Sequence, residues 1–167
     1  MPLDHVDPTV RKGTLYRGYT RVLRTPPGRW FALNIATKVD PWLLKRTDGR
    51  LAMGLVLPSA LLETTGAKSG APRDCTVLYF HDGDDVILIA SSYGRDAHPS
   101  WYHNLVAHPD CVLGGERFRA SEVADPAEGE RLWSLAANVY GGFADYRVRA
   151  AQAGRTIPQL RLTPVAP

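Results

Sequence analysis

Three apolar, strand-like segments follow one another at residues 60–65, 74–80 and 86–90, joined by turns too short to carry a helical crossover. Between the second and third stands Asp82-Gly83-Asp84-Asp85, a composition that supplies the positive φ angles of a tight hairpin. Strands joined this way pair antiparallel, because a parallel pair needs a connection of about a dozen residues or more. A second antiparallel pair is expected around Gly114-Gly115, from Val112-Leu113 into residues 117–123, and a last strand over residues 159–163 behind Pro158. Single helices interrupt these strands. Pro99 opens a short one with Trp101, Tyr102, Leu105 and Val106 on one face, stopped near Pro109, and Pro126 opens the longest, reaching about residue 151 with Gly141-Gly142 as the place to kink or split. The pattern predicts an α+β fold, mainly antiparallel β, built as a small barrel with covering helices. Nothing matches Gly-x-Gly-x-x-Gly, which disfavours a dinucleotide fold, and Pro72 stands where a Walker loop would start its helix.

The first fifty residues read differently. They hold ten Lys or Arg against four Asp or Glu, a balance of +6, whereas residues 51–167 hold ten against thirteen, a balance of −3. Leu15, Tyr16, Tyr19, Val22 and Leu23 recur at helical spacing between Arg17, Arg21 and Arg24, which makes a basic amphipathic helix ended by Pro26-Pro27-Gly28. A further short helix is expected over residues 30–38, with Phe31, Leu33 and Ile35. Another follows with Asp40 as cap and Pro41 in its first turn, closing at Asp48-Gly49. The chain is thus expected to divide into a basic helical N-terminal arm, 1–50, and a barrel domain, 51–167. Two roles fit such an arm: a cover over the barrel, or a surface resting on a membrane. No window of about eighteen apolar residues exists to span a bilayer, and the N-terminus lacks the basic-then-apolar pattern of a secretion signal, so a cytoplasmic protein, peripheral at most on the inner face of the membrane, is expected. Cys75 and Cys111, both in strand-like segments, are expected to be free, buried thiols. His98, His103 and His108 are spaced by five, which does not align them on one helical face, and no metal is expected. Neither a zinc-finger spacing nor an RNA-binding aromatic motif is present, so nucleic acid is not an expected partner.

Gly66-Ala67-Lys68-Ser69-Gly70-Ala71-Pro72-Arg73 ends the first strand in a glycine-flanked turn with two cations and a hydroxyl. Such a turn is either a solvated hairpin loop or a phosphate cradle, with exposed N–H groups, Ser69 and the charges of Lys68 and Arg73 on one anion.

The order Leu-Leu-x-Thr-Thr-Gly-x-Lys-Ser-Gly-x-x-Arg from Leu61, a hairpin, Ala90-Ser91-Ser92, and then His98-Pro99-x-Trp101-Tyr102-x-Asn104-Leu105-x-x-His108-Pro109 closely resembles the deazaflavin-dependent nitroreductase family, the coenzyme F420-dependent quinone reductases of actinobacteria and their relatives. The resemblance is strong over residues 40–123 and looser over 126–162. It implies a split β-barrel of the FMN-binding type and a site for coenzyme F420. By position, Ala67, Lys68, Ser69 and Arg73 correspond to the phosphate site, with Cys75, Val77 and Leu78 along the adjoining strand. Ile89, Ala90, Ser91 and Ser92 would border the deazaflavin ring, and Ser100, Trp101, Tyr102, His103 and Asn104 would pack around the cofactor. The position of Ala67 is usually basic in the family, which implies a weaker hold on the phosphate or tail here unless Arg50 or Arg95 compensates. On the substrate side Tyr140, Phe143 and Tyr146 correspond to family tyrosines, the middle one having lost its hydroxyl, and Leu78 replaces a fourth.

The implied function is an oxidoreductase, transferring a hydride from reduced F420 to a quinone or another conjugated or nitro acceptor. Ser91 and Tyr146 are the candidates to hydrogen-bond the acceptor oxygen as negative charge develops. A non-catalytic barrel holding a fatty acid or haem-like ligand is the alternative, and both a monomer and a homodimer fit the resemblance.

Overall fold

The unbroken apolar run of residues 86–90 becomes a wall with two apolar faces. The computed structural model describes residues 3–10, 12–31, 34–35, 37–47 and 57–165. Within them six strands close into one antiparallel barrel, β1 (Ser59–Thr65), β2 (Pro72–Asp82), β3 (Asp85–Ile89), β4 (Asp110–Leu113), β5 (Glu116–Glu122) and β6 (Gln159–Pro164), in the order β1-β2-β3-β6-β5-β4. The Asp82-Gly83-Asp84-Asp85 signal makes the β2–β3 hairpin, with Gly83 at φ 66° and Asp82 opposite Asp85. The barrel closes where Leu62 of β1 faces Leu113 of β4. Period-two geometry then sorts side chains: Val77 and Tyr79 of β2, and Val86 and Leu88 of β3, fill the interior with Leu62, Leu113, Leu160 and Leu162.

The opposite face of the same two strands is also covered. Phe80, Ile87 and Ile89 pack outward against α5 (Pro126–Val139) and α6 (Gly142–Gln152), through Leu132, Trp133, Ala136, Val139, Phe143 and Ala150. Each buried Leu, Ile, Val or Phe side chain among these stabilises by about 1.5–3 kcal/mol, so this second layer is a structural core in its own right. Asp125 caps α5 by accepting from the N–H groups of Ala127 and Glu128, as expected of an Asp-Pro entry. The helix splits at Gly141-Gly142. A Cβ on Gly142 would lie 2.3 Å from Cε1 of Tyr140, so glycine is what lets that ring fold back over the junction.

The N-terminal helices are α1 (Thr14–Leu23), α2 (Pro26–Phe31) and α3 (Thr37–Arg46). The first ends where expected, but Pro26-Pro27-Gly28 opens α2 rather than serving only as a stop, since prolines are well placed in a first turn where N–H groups lack partners anyway. Of the helix expected over 30–38, residues 30–31 end α2, residues 34–35 are helical and residues 37–38 begin α3, while 32, 33 and 36 lie outside the described residues. Likewise α3 starts at Thr37, which puts Asp40 in its first turn rather than at the cap and Pro41 inside the helix. Pro41 has no N–H to donate to the carbonyl of residue 37, four positions back. The expected stop at Asp48-Gly49 is outside the described residues. The segment before α1 is tied to the barrel: Val6 N–H donates to Nδ1 of His81 (3.1 Å) and the Tyr79 hydroxyl to the Asp4 carbonyl (2.9 Å). Tyr16 of α1 donates to the Val139 carbonyl, and Arg24 makes a bidentate pair with Asp145 at 2.7 and 2.9 Å.

Candidate functional site

The turn between β1 and β2 is held by its own backbone and by one side chain from elsewhere. Gly66 N–H donates to the Ala71 carbonyl (2.9 Å) and Gly70 N–H to the Gly66 carbonyl (2.8 Å). A Cβ at Gly66 would lie 2.8 Å from Ser69 Oγ, so the tightness of the turn requires glycine there. Buried Asn104 of α4 (Ser100–Ala107) accepts from Ala67 N–H (3.0 Å) and donates to Thr64 Oγ1 (3.0 Å). Ala67, Lys68, Ser69 and Arg73 are exposed. Among the described residues neither the Lys68 nor the Arg73 side chain has a partner, and the N–H groups of Lys68 and Ser69 are unpaired. Two cations, two free N–H groups and the Ser69 hydroxyl on one braced turn are the donor set that an anionic oxygen cluster takes.

A second loop, residues 90–98, faces the other end of α4. It carries a 3₁₀ turn, Ser92–Gly94, with Ser92 and Tyr93 at φ 47° and 58°, a conformation that costs about 1–2 kcal/mol per non-glycine residue. Arg155, which follows α6, holds it by donating to the carbonyls of Ala90, Ser91 and Arg95 and to Nδ1 of His98. His98 lies 4.9 Å, ring to ring, from Tyr102, whose hydroxyl donates to Glu122 (2.9 Å). Contacts therefore run from the Lys68 turn through Asn104 along α4 to His98, and from there to Ser91.

The strip ends on an aromatic wall. Tyr93 meets Tyr146 edge to face at 5.7 Å, and the hydroxyls of Tyr140 and Tyr146 lie 3.4 Å apart. Phe143 completes the group, 6.2 Å from the Tyr146 ring. Tyr140, Phe143 and Tyr146 are all buried, and burial pushes the Tyr146 phenol far above its ordinary value of 10, so it keeps its proton and acts as a hydrogen-bond donor. The Arg149 guanidinium stands over the Tyr146 ring at 5.1 Å, and its buried Nε has no partner among the described residues. An unmet buried donor of this kind is what a bound polar group satisfies.

The remaining expected site residues fall on different faces. Val77 and Ala90 are buried in the barrel interior and Cys75 packs against that interior, so these offer a surface ligand their backbone rather than their side chains. Leu78 and Ile89 belong to the outer layer with the aromatic wall. Ser100 and His103 are exposed, and Trp101 is half-buried against the barrel core. Arg95 is exposed in the second loop, near Tyr93 rather than in the Lys68 turn, and Arg50 lies outside the described residues. Cys75 and Cys111 are free, and burial pushes both thiols up to about 12, which makes them inert. Arg155 and Arg149 were not legible from the sequence. The only local signal at Arg155 is a cation directly after the helix-ending Gly154.

The model of the F420H(2)-dependent quinone reductase family matches residues 37–164, a span that contains both loops, α4 and the aromatic wall. The chain belongs to this family. An F420H(2)-dependent quinone reductase of Mycobacterium tuberculosis is 32% identical over 146 residues, covering 81% of this chain and 96% of that protein. A solved F420-H2 dependent reductase superposes with a TM-score of 0.54 at 32% identity, covering 63% of this chain and 93% of its own. A second solved structure, described as a domain-swapped dimer, gives 0.56 at 30% identity over 72% of this chain and 96% of its own. As a family member with the split β-barrel, the chain is a hydride-transferring oxidoreductase associated with an F420-type cofactor. The donor set of the Lys68 turn and the unmet Arg149 Nε fit such a group, which needs a phosphate anchor at one end and a ring-sized wall at the other.

Proposed function

We propose that this family member passes a hydride from reduced F420 to a small hydrophobic acceptor, a quinone or another conjugated or nitro compound. The observation that carries the reading is the Lys68-Ser69-Arg73 turn, whose two cationic side chains have no partner among the described residues, linked through Asn104 and His98 to Ser91 and Tyr146. When bound, the reduced deazaflavin supplies a two-electron hydride equivalent. Lys68, Ser69 and Arg73 hold the phosphate, while Ala67 gives only its braced backbone. Ile89, Ala90, Ser91 and Ser92 border the ring, and the segment from Ser100 to Asn104 fixes the distance between ring and phosphate ends. Tyr140, Phe143, Tyr146 and Leu78 make the acceptor side apolar and exclude water. Ser91 Oγ and the proton-holding Tyr146 Oη donate hydrogen bonds to the acceptor oxygen as charge develops there.

The reading includes a cytoplasmic location with peripheral contact at a membrane, where such acceptors dissolve. Its support is the arm's surface: Leu15 and Trp30 are 91% and 60% exposed, as are Val22 and Trp42 in large part, among cations such as Arg21, Lys38 and Arg46. Titrating the protein with F420 and following its fluorescence tests the central claim. Saturable binding is expected, and Lys68→Ala weakens it about tenfold or more by removing a charge-assisted contact. Stability should stay within about 0.5 kcal/mol, as for other surface substitutions. Absence of wild-type binding would overturn the reading and leave the fatty-acid or haem-like binding barrel in its place.

A further inference from the structure

What holds the second loop comes from the far end of the chain. Arg155 is 9% exposed, and the hydrogen bonds of its guanidinium all end on residues 90–98. Nη1 donates to the Ala90 carbonyl (3.3 Å) and to Nδ1 of His98 (2.9 Å), Nη2 to the Ser91 carbonyl (2.7 Å), and Nε to the Arg95 carbonyl (2.9 Å). No carboxylate accepts from it among the described residues. A buried cation that is met by carbonyls instead of a carboxylate keeps its fork geometry only while all those acceptors stay in place. The loop it fixes contains the strained residues Ser92 and Tyr93, and Gly94 packs against Tyr146 and Arg149.

We propose that Arg155 is a positioning residue of the reductase site, clamping residues 90–95 through their carbonyls and holding His98 as a neutral imidazole with its proton on Nε2. The proposal rests on the reading of Ile89 to Ser92 as the border of the ring. A guanidinium has donors and no acceptor, so the His98 nitrogen that receives it must offer a lone pair, and the ring proton goes to the other nitrogen. Protonating His98 sets N–H against N–H and cation against cation, which opens the clamp at its outer end. The charged and titratable groups around His98 act in both directions. Arg155 and His103 disfavour its charged form, Glu122 favours it, Tyr102 touches its ring, and Asp96 acts on Arg155. Burial is the largest influence, and the net direction for His98 is downward from its ordinary value.

The test uses the full chain with ¹⁵N-labelled histidine, as wild type, Arg155→Met and Arg155→Lys. Long-range proton–nitrogen NMR on ligand-free protein reads the tautomer and titration of His98, and F420 titration with steady-state kinetics reads the site. The wild type is expected to show the Nε2–H tautomer. Arg155→Met should lose that preference, move the His98 titration toward its ordinary value, and weaken F420 binding or lower kcat/KM about tenfold. Arg155→Lys keeps the charge without the fork, and is expected to recover only part of either loss. It also decides the matter alone if the Met variant does not fold. An Nδ1–H tautomer in the wild type, or an unchanged His98 in both variants, overturns the clamp. A lost clamp with affinity and kcat/KM within about twofold of wild type overturns the positioning role. If the wild type binds no F420, the functional reading falls, and the imidazole signature still decides whether the clamp exists.

Discussion

The two loops that bracket the candidate site are held by opposite means. The Lys68 turn closes on its own backbone, borrows one amide from Asn104, and leaves its cations to solvent. The 90–98 loop also closes a turn on its own backbone, with Gly94 N–H on the Ser91 carbonyl (2.9 Å) and Arg95 N–H on the Ser92 carbonyl (3.1 Å), but it is strapped in addition by Arg155 across some sixty residues of sequence, 60 for Arg95 and 65 for Ala90. The difference separates two ways of building a binding site. One loop is locally encoded and presents free donors. The other is globally encoded, with its polar groups already spent on holding strained backbone beside the aromatic wall. Catalytic and binding groups commonly sit on loops fixed by a rigid scaffold, and here the scaffold does unequal amounts of the fixing.

A matched pair of glycine substitutions probes that asymmetry most sharply. Gly94 (φ 74°) and Gly70 (φ 65°) both have backbone that L-residues resist, but a Cβ at Gly94 would lie 2.9 Å from the Tyr146 carbonyl, whereas Gly70 faces open space. Chemical denaturation should therefore give a loss of about 2–4 kcal/mol for Gly94→Ala, conformational strain plus overpacking, and only about 1–2 kcal/mol for Gly70→Ala, strain alone. Equal losses would mean the two loops are anchored alike. The next largest effect belongs to Asn104→Ala, which strands Ala67 N–H and leaves the Thr64 hydroxyl only its bond to the Arg73 carbonyl (3.3 Å). A cost of about 1–3 kcal/mol is expected, together with faster amide exchange at Ala67 but not at Ser91. Exchange rising in both loops would show that they are one mechanical unit.

The smallest effect is the strapped loop's share of a pH dependence. The folded His98 pKa lies below the ordinary 6.5 because of burial and the neighbouring Arg155, so the folded state prefers the neutral ring. Its contribution is complete above the unfolded value and is lost as pH falls through the folded one. His81, also depressed by burial and by His5, acts in the same direction elsewhere on the barrel. Urea midpoints compared between pH 7.5 and 5.5 should fall for the wild type and fall less for His98→Asn, whose amide oxygen accepts from Arg155 without titrating. An identical fall in both would assign the whole effect to His81 and other groups.

How far this was legible before the structure follows the same division. The hairpin at Asp82-Gly83, the split at Gly141-Gly142 and the Lys68 turn were all readable, because each depends on residues adjacent in sequence. The start of α2 was not, since Pro26-Pro27-Gly28 reads as a stop although prolines also suit a first helical turn. Strand alternation contained a further message that motif matching alone overlooks: Val77 and Leu78 are neighbours in sequence but belong to opposite faces of β2. Asn104 stood out by its motif, yet its work as a brace between Thr64 and Ala67 needs the fold. Arg155 had no sequence signature, because its partners are backbone carbonyls, which any residue supplies.

The glycine break between α5 and α6 has a consequence for how the aromatic wall can change. On one continuous helix, residues six apart, such as Tyr140 and Tyr146, would project to different sides. They meet because Tyr140 stands in extended backbone just past the end of α5, while Tyr146 is carried by α6. Substitutions at the end of α5 can therefore move one tyrosine, and substitutions along α6 the other, with the barrel and the Lys68 turn left alone. Under the proposed function, a wall supported separately on the two sides of a break gives a lineage room to explore new acceptors one part at a time.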